Sequence, residues 1–131
     1  MSEKDYRKPF TQLDKVVLAS GSEIRNEVLK KYFSSVLTVS HKIDEEKLKK
    51  SQKKPEEIVL DIAKKKALSV IKDFEKEMII ASDQILVCAK KIWSKPKNLA
   101  AAKKKLLFLK NKTHKLYSSI YVVNKQKFYF K

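Results

Sequence analysis

The 131-residue sequence contains one glycine, one cysteine and three prolines, and only two of its basic residues, Arg7 and Arg25, are arginines. Each shortage excludes something. With Cys88 alone no internal disulfide can form, which fits a reducing compartment and predicts a cytoplasmic protein; Cys88 reads as a small apolar filler in a buried strand. No G-x-x-x-x-G-K-[ST] occurs, so a P-loop of the usual kind is excluded. No apolar run approaches the roughly 20 residues that span a bilayer, and the start, Met1 to Tyr6, lacks the apolar core of a secretory signal. His41 and His114 have no zinc-like spacing to the cysteine. The scarcity of arginine also bears on the formal net charge of +16. Base readout and bidentate phosphate contacts favour the planar guanidinium fork, which lysine cannot copy. The lysines are spread along the chain without a basic tail. A solvated lysine-rich surface therefore ranks ahead of a nucleic-acid interface, although attraction for anions, nucleotides included, remains.

What is present is one domain's worth of globular sequence, 43% hydrophobic and 35% charged. Residues 1–15 are polar, carry Pro9 and read as an irregular N-terminal extension; residues 16–131 form a single domain. Val16 to Ala19 is too short for a helix and reads as a buried strand. A serine-capped helix follows, with Ile24, Val28, Leu29 and Tyr32 at helical spacing. Val36 to Val39 is a second strand, and His41 to Lys54 is charged and expected as a loop. Pro55-Glu56-Glu57 opens a helix to about Phe74, with Ile58, Ile62, Ala63, Ala67, Leu68 and Ile71 on its apolar face. Met78 to Ala81 is a buried strand that Ile85 to Cys88 continues or returns from. Residues 90–97 are expected as a turn around Lys95-Pro96. A helix over Ala100 to Leu109 has Ala101, Leu106 and Leu109 on one side. His114 to Val123 alternates as a strand and pairs with Lys127 to Phe130 in a hairpin. Strands alternating with helices predict an α/β fold, a sheet flanked by helices. Phe128 to Phe130 is expected to be a strongly apolar edge that needs a cover.

Three places could carry chemistry. The turn Ser20-Gly21-Ser22 joins a strand to a helix, where unpaired backbone N–H groups and two hydroxyls point forward. Gly21 permits close approach, and Arg25, one helical turn on, can fork onto a phosphate. An ordinary serine cap beside a surface arginine accounts for the same residues. It is the coincidence of the sole glycine with one of two arginines that favours a phosphate. Asp83-Gln84 follows the apolar run Ile79 to Ala81, and acids at strand ends of α/β proteins sit where ligands bind. A carboxylate between apolar segments needs a cation or a task, unless it merely occupies a tight turn. Asp44-Glu45 could hold Mg²⁺ or Mn²⁺, or be a solvated acidic pair. Lys66 and Lys95 are single lysines with the same ambiguity, Lys95 being fixed by Pro96.

Taken in order, these pieces resemble the Maf family of nucleoside triphosphate pyrophosphatases, once described as septum-formation inhibitors. Leu18 to Leu29 is similar to that family's opening L-A-S-x-S-x-x-R-x-x-L-L. Asp44-Glu45 falls where its D-E pair falls, and Ile62 to Ala67 resembles its L-A-x-x-K-A helix. Ile80 to Leu86 resembles its G-[AS]-D-[TQ]-V-V segment, Trp93 to Pro96 its x-x-K-P turn, and Leu106 to Ser119 its L-x-x-L-x-G-x-x-H-x-V-x-T-G-V stretch. The resemblance implies a Maf/ITPase-like mixed sheet flanked by helices, and hydrolysis of a nucleoside triphosphate to monophosphate and pyrophosphate with a divalent metal. In that scheme Asp83 is the catalytic base. Ser20, Ser22, Arg25, Lys66 and Lys95 hold the triphosphate, while Glu45, with Asp44, places the metal. It also implies a tendency to form homodimers. Many members carry arginine and threonine where this chain has Ile24 and Gln84, a pattern associated with dTTP and UTP. Ile24 and Gln84 look more like the branch acting on 7-methyl-GTP. Family members run on beyond the point matching Lys131, so the chain is expected to be C-terminally short. A nucleotide-binding relic is therefore a second reading and a basic nucleic-acid-binding protein a third.

Overall fold

The computed structural model describes residues 15–41 and 43–124 in full and residues 127–129 as backbone. The expected N-terminal extension and the apolar side chains of 128–130 lie outside the described residues. In chain order the elements are β1 Val16–Leu18, α1 Glu23–Lys30, β2 Val36–Thr38, α2 Glu45–Lys49, α3 Pro55–Val70, a 3₁₀ turn Ile71–Asp73, β3 Met78–Cys88, β4 Lys91–Trp93, α4 Leu99–Leu109, β5 His114–Asn124 and β6 Lys127–Tyr129. The strands form one mixed sheet ordered β2-β1-β3-β5-β6, with β4 also on β3. β1 pairs in parallel with β2 and β3, and the other pairings are antiparallel. The expected hairpin is present, with Asn124 opposite Lys127 and Val122 opposite Tyr129.

One feature of the pairing creates the site. Met78 to Cys88 is a single 11-residue strand, the continuing alternative of the two expected. β5 follows one edge of it for its full length. β1 and β4 must then share the other edge, β1 along Met78 to Ile80 and β4 along Leu86 to Cys88. Between them, residues 81–85 have no strand partner on that edge among the described residues.

α3 covers one face of this sheet. Pro55 sits at its first turn with Glu56 and Glu57 behind it, satisfying the helix dipole without a side-chain cap. Its buried stripe is Ile58, Val59, Ile62, Ala63, Lys66, Ala67 and Val70. Leu68, expected on that face, is exposed, because at about 100° per residue it lies roughly half a turn from Val59, Ala63 and Val70. Alanines 63, 67 and 81 bring helix and sheet close, and Val17, Ile79, Tyr121 and Val123 fill the space around them. A second cluster, Ile58, Val59, Ile62 and Ile85, continues the core toward β4. Complete burial of Ile62 or Ile79 stabilises the fold by about 2–3 kcal/mol each.

Elsewhere the structure corrects the sequence reading. The expected loop over 41–54 contains helix α2, because Asp44 caps it (Lys47 N–H to Asp44 Oδ1, 3.2 Å), acids lead it and lysines end it. Leu48 anchors α2 on the second cluster. The expected turn over 90–97 begins with strand β4, formed because Ala89 and Lys90 adopt positive φ of 53° and 60° and close a hairpin onto β3. That turn lacks the Gly or Asn that usually announces it. α1 and α4 bury no residue; the expected apolar side of α4 is solvent-facing at Leu106, and the helix is held by Phe108 packing on Trp93, 4.4 Å between ring centroids.

Candidate active site

β1 ends where Ala19 N–H donates to Ile80 O at 2.9 Å, and the chain then turns over the open edge of β3. Ser20 is buried there. Its Oγ accepts from Ser22 N–H at 3.1 Å and from the Arg25 guanidinium at 3.3 Å. Ser22 caps α1 by accepting from Arg25 N–H at 3.3 Å. Arg25 also donates to Ser82 O at 3.3 Å, so the phosphate-type turn is tied to the β3 edge. A Cβ on Gly21 would meet no atom within 4 Å, so the protein leaves that side of the turn open.

The vacant stretch of β3 is served by side chains instead of a strand. Ser82 O accepts from both Arg25 and Lys66, each at 3.3 Å. The β-strand alternation that turns Ile79, Ala81 and Ile85 toward α3 places Asp83 in the same core-facing row, and it is 6% exposed. Lys66 lies in the buried stripe of α3 and is 5% exposed. Its ammonium is 2.6 Å from Glu45 Oε1 and 3.5 Å from Asp83 Oδ1. Asp83 Oδ2 is buried without a hydrogen-bond partner, a costly state for a carboxylate. Burial raises the Asp83 pKa above the ordinary carboxylate range; Lys66 pulls it back and Glu45 adds to the rise. Burial also pushes Glu45 upward, but the hydrogen bond and charge of Lys66 prevail and its pKa is lowered. His41 stands 3.8 Å from Glu45, its pKa lowered by burial and by the Lys66 charge.

These groups open on one cleft of about 560 Å³, a volume suited to a nucleotide. At one end are Ser22, Arg25, Glu45, Lys66 and Asp83; at the other are Gln84, Leu86, Trp93, Lys95, Pro96 and Leu116. Gln84 donates to Ser118 Oγ at 3.1 Å. Three of the expected residues do not line it: Ser20, expected to hold the triphosphate, is buried with its hydroxyl engaged by Ser22 N–H and Arg25, and Ile24 and Asp44 also stand apart. Ile24 is 76% exposed on α1 and does not line the cleft, and the Asp44 carboxylate is occupied in capping α2. Five lining residues, Lys49, Leu86, Trp93, Lys105 and Leu116, had not been singled out. Trp93 could have been, as the sole tryptophan beside Lys95-Pro96. Lys105 could not; it donates to Ser94 O at 3.3 Å, and nothing in the sequence separates it from its neighbouring lysines.

Among the described residues no group of three His, Cys, Asp or Glu side chains could hold a metal ion. Glu45 and Asp83 nonetheless face one another across a single ammonium. Two carboxylates of this kind suit a hard cation that keeps its waters and shares phosphate oxygens with a substrate.

The chain is 35% identical to a protein of Pyrococcus furiosus named dTTP/UTP pyrophosphatase, over 88% of this chain and 59% of that one. It is 32% identical to a nucleoside triphosphate pyrophosphatase of Legionella pneumophila, over 90% of this chain and 60% of the relative. A dTTP/UTP pyrophosphatase of Bacillus mycoides is 31% identical over 86% of this chain and 58% of its own length. The chain thus spans less than two thirds of the length of these relatives. The model of Maf-like proteins matches residues 15–130, and the chain belongs to the Maf family.

Proposed function

We propose that this chain carries the catalytic cleft of a cytoplasmic nucleoside triphosphate pyrophosphatase, which releases pyrophosphate and a nucleoside monophosphate. The observation that carries the reading is the convergence of a hydroxyl- and arginine-lined turn with a buried, half-satisfied carboxylate on one cleft. The Ser22 hydroxyl, Arg25, Lys66 and Lys95 hold the triphosphate, and buried Ser20 orients the turn and the guanidinium. Asp83 Oδ2, free of other partners, accepts the proton of a water molecule as its oxygen bonds to phosphorus and the bond to pyrophosphate breaks. A base with a raised pKa is well suited to that transfer. Positioning and charge neutralisation lower most of the barrier. Glu45 is the residue that would hold a divalent cation such as Mg²⁺ or Mn²⁺, with Asp83 facing it; bound there, the cation supplies charge neutralisation at the phosphates.

The preferred base in this proposal is 7-methylguanine. Gln84, within the cleft, presents an amide to a purine edge; Ile24, outside it, lends the reading nothing further. The names of the relatives point instead to dTTP and UTP, so all three substrates belong in the test. The purified chain is incubated with Mg²⁺ and 7-methyl-GTP, UTP or dTTP, and pyrophosphate and orthophosphate are measured separately. Pyrophosphate from 7-methyl-GTP above the other two supports the whole reading. Pyrophosphate chiefly from UTP or dTTP overturns the base preference. Nucleotide binding without turnover favours the relic reading, and salt-dependent binding of nucleic acid without nucleotide turnover overturns the enzyme.

A further inference from the structure

The cleft has a neighbour of its own size. A second cavity of about 570 Å³ adjoins it, and Lys49 lines both. Its floor is core, with Ile58 of the second apolar cluster and half-buried Val87 and Ile92 packed on it. Its rim carries Lys49, Lys50 and Lys53 from α2 and the segment after it, and Lys90 and Lys91 from the β3–β4 turn and β4, with Glu46 as the one acid lining it. Asp61 takes up Lys53 at 2.7 Å, and Lys91 lies over Trp93. Among the described residues Lys50 and Lys90 have no ion-pair partner. Lys90 is held at the rim in left-handed backbone, φ 60°, beside Ala89 at 53°. That conformation is costly for a residue with a side chain, and strain of this kind clusters at ligand sites. Like charges gathered over an apolar floor repel one another, a cost that an anion removes. Lys49 links the two cavities. Its side chain is 15% exposed, and its ion-pair partner here, Glu46, is 63% exposed and 3.6 Å away.

From this we propose that the second cavity is a separate anion site which takes a nucleoside diphosphate, and that its ligand competes with the cleft for Lys49. Lys50 and Lys90 offer unneutralised charge to the diphosphate. Lys49 joins them when the ligand displaces its long pair with the solvated Glu46. Val87 and Ile92 give apolar surface to the nucleoside, a contact that inorganic pyrophosphate cannot make. A phosphate that holds Lys49 from this side takes an ammonium from the wall of the cleft, so occupancy here weakens anion binding there. The site stands on its own residues; its effect on the cleft rests on the nucleotide reading above.

The test counts sites by equilibrium dialysis of ADP, with EDTA present to prevent turnover. The native chain is expected to bind two ADP. The double variant Lys50→Ala/Lys90→Ala, changed only at exposed side chains, keeps the cleft site and weakens the other at least about tenfold. Arg25→Ala does the reverse. Because Lys49 is shared, the native chain holds its second ADP about fivefold more weakly than the weaker of these two isolated sites does. Lys49→Ala, added to each background, weakens the remaining site about threefold or more. Pyrophosphate in place of ADP binds the cavity site of Arg25→Ala about tenfold more weakly. A single native site that Arg25→Ala abolishes and the lysine pair leaves unchanged overturns the proposal. So does a cavity site that binds pyrophosphate as tightly as ADP, or one that Lys49→Ala leaves unmoved. A single site lost with the lysine pair and kept in Arg25→Ala upholds the cavity and removes the nucleotide cleft, a distinct result.

Discussion

The two ends of the cleft are built on opposite principles. At the β1 end, Ser20, Lys66 and Asp83 are buried, and backbone carbonyls, hydroxyls and charges pair over distances of 2.6–3.5 Å, with Asp83 Oδ2 alone among these groups left unpartnered. At the β4 end, Trp93 and Lys95 are only partly covered or exposed, and α4 contributes no buried residue. The first end is over-determined, since moving any one group there leaves another buried polar atom unpaired. The second is held by a ring contact and a strained two-residue turn. A fixed end can position phosphates for chemistry, and an adaptable end can discriminate bases.

Several substitutions would break or sharpen this contrast. Asp83→Asn should have the largest effect. It removes the proton acceptor and should lower pyrophosphate release by about 10²–10⁴-fold in steady-state kinetics, with binding retained. Ile79→Ala, fully buried beside β1 at the fixed end, should cost about 3 kcal/mol in denaturant unfolding. Leu106→Ala, on the exposed α4, should stay within about 0.5 kcal/mol by the same measurement. Arg25→Lys keeps the charge but loses the fork to Ser20 and Ser82, and should raise KM about tenfold or more with the fold intact. Ala89→Gly relieves the positive φ of 53° and should stabilise the β3–β4 hairpin by about 1 kcal/mol, read as a higher Tm. Were Leu106→Ala as damaging as Ile79→Ala, the contrast between the two ends would be lost.

The same contrast explains what could be read from residues alone. The fixed end announces itself because burial and polarity conflict in the sequence: Asp83 interrupts an apolar strand, and Lys66 falls in the apolar stripe of a helix. The buried elements β1, α3 and β3 were legible for the same reason, since burial makes their periods show. Where burial is slight the pattern weakens. Helix α2 hid in a charged segment because its stability comes from the Asp44 cap and one leucine. The β3–β4 turn hid because alanine and lysine occupy left-handed backbone. Ile24 and Asp44 drew notice through motif position, yet side-chain direction placed one in solvent and the other on a cap. Nothing local to the sequence reveals that β1 and β4 stop short of one another on β3, because that depends on register between strands far apart in the chain. That gap is what makes Asp83 accessible.

The claim beneath the account is that Asp83 is a desolvated carboxylate placed for proton transfer and penalised for its charge. Its pKa is raised in the folded protein, so folding takes up a proton in the window between the ordinary carboxylate value and the folded one, and stability from this group falls as pH rises through it. The most direct measurement is Tm against pH for the native chain and Asp83→Asn. The account predicts similar values in acid, where both side chains are neutral, and an advantage for Asp83→Asn that grows from the ordinary carboxylate range up to the folded pKa and holds level above it. A difference that is constant with pH, or that turns against Asp83→Asn at neutral pH, would contradict it.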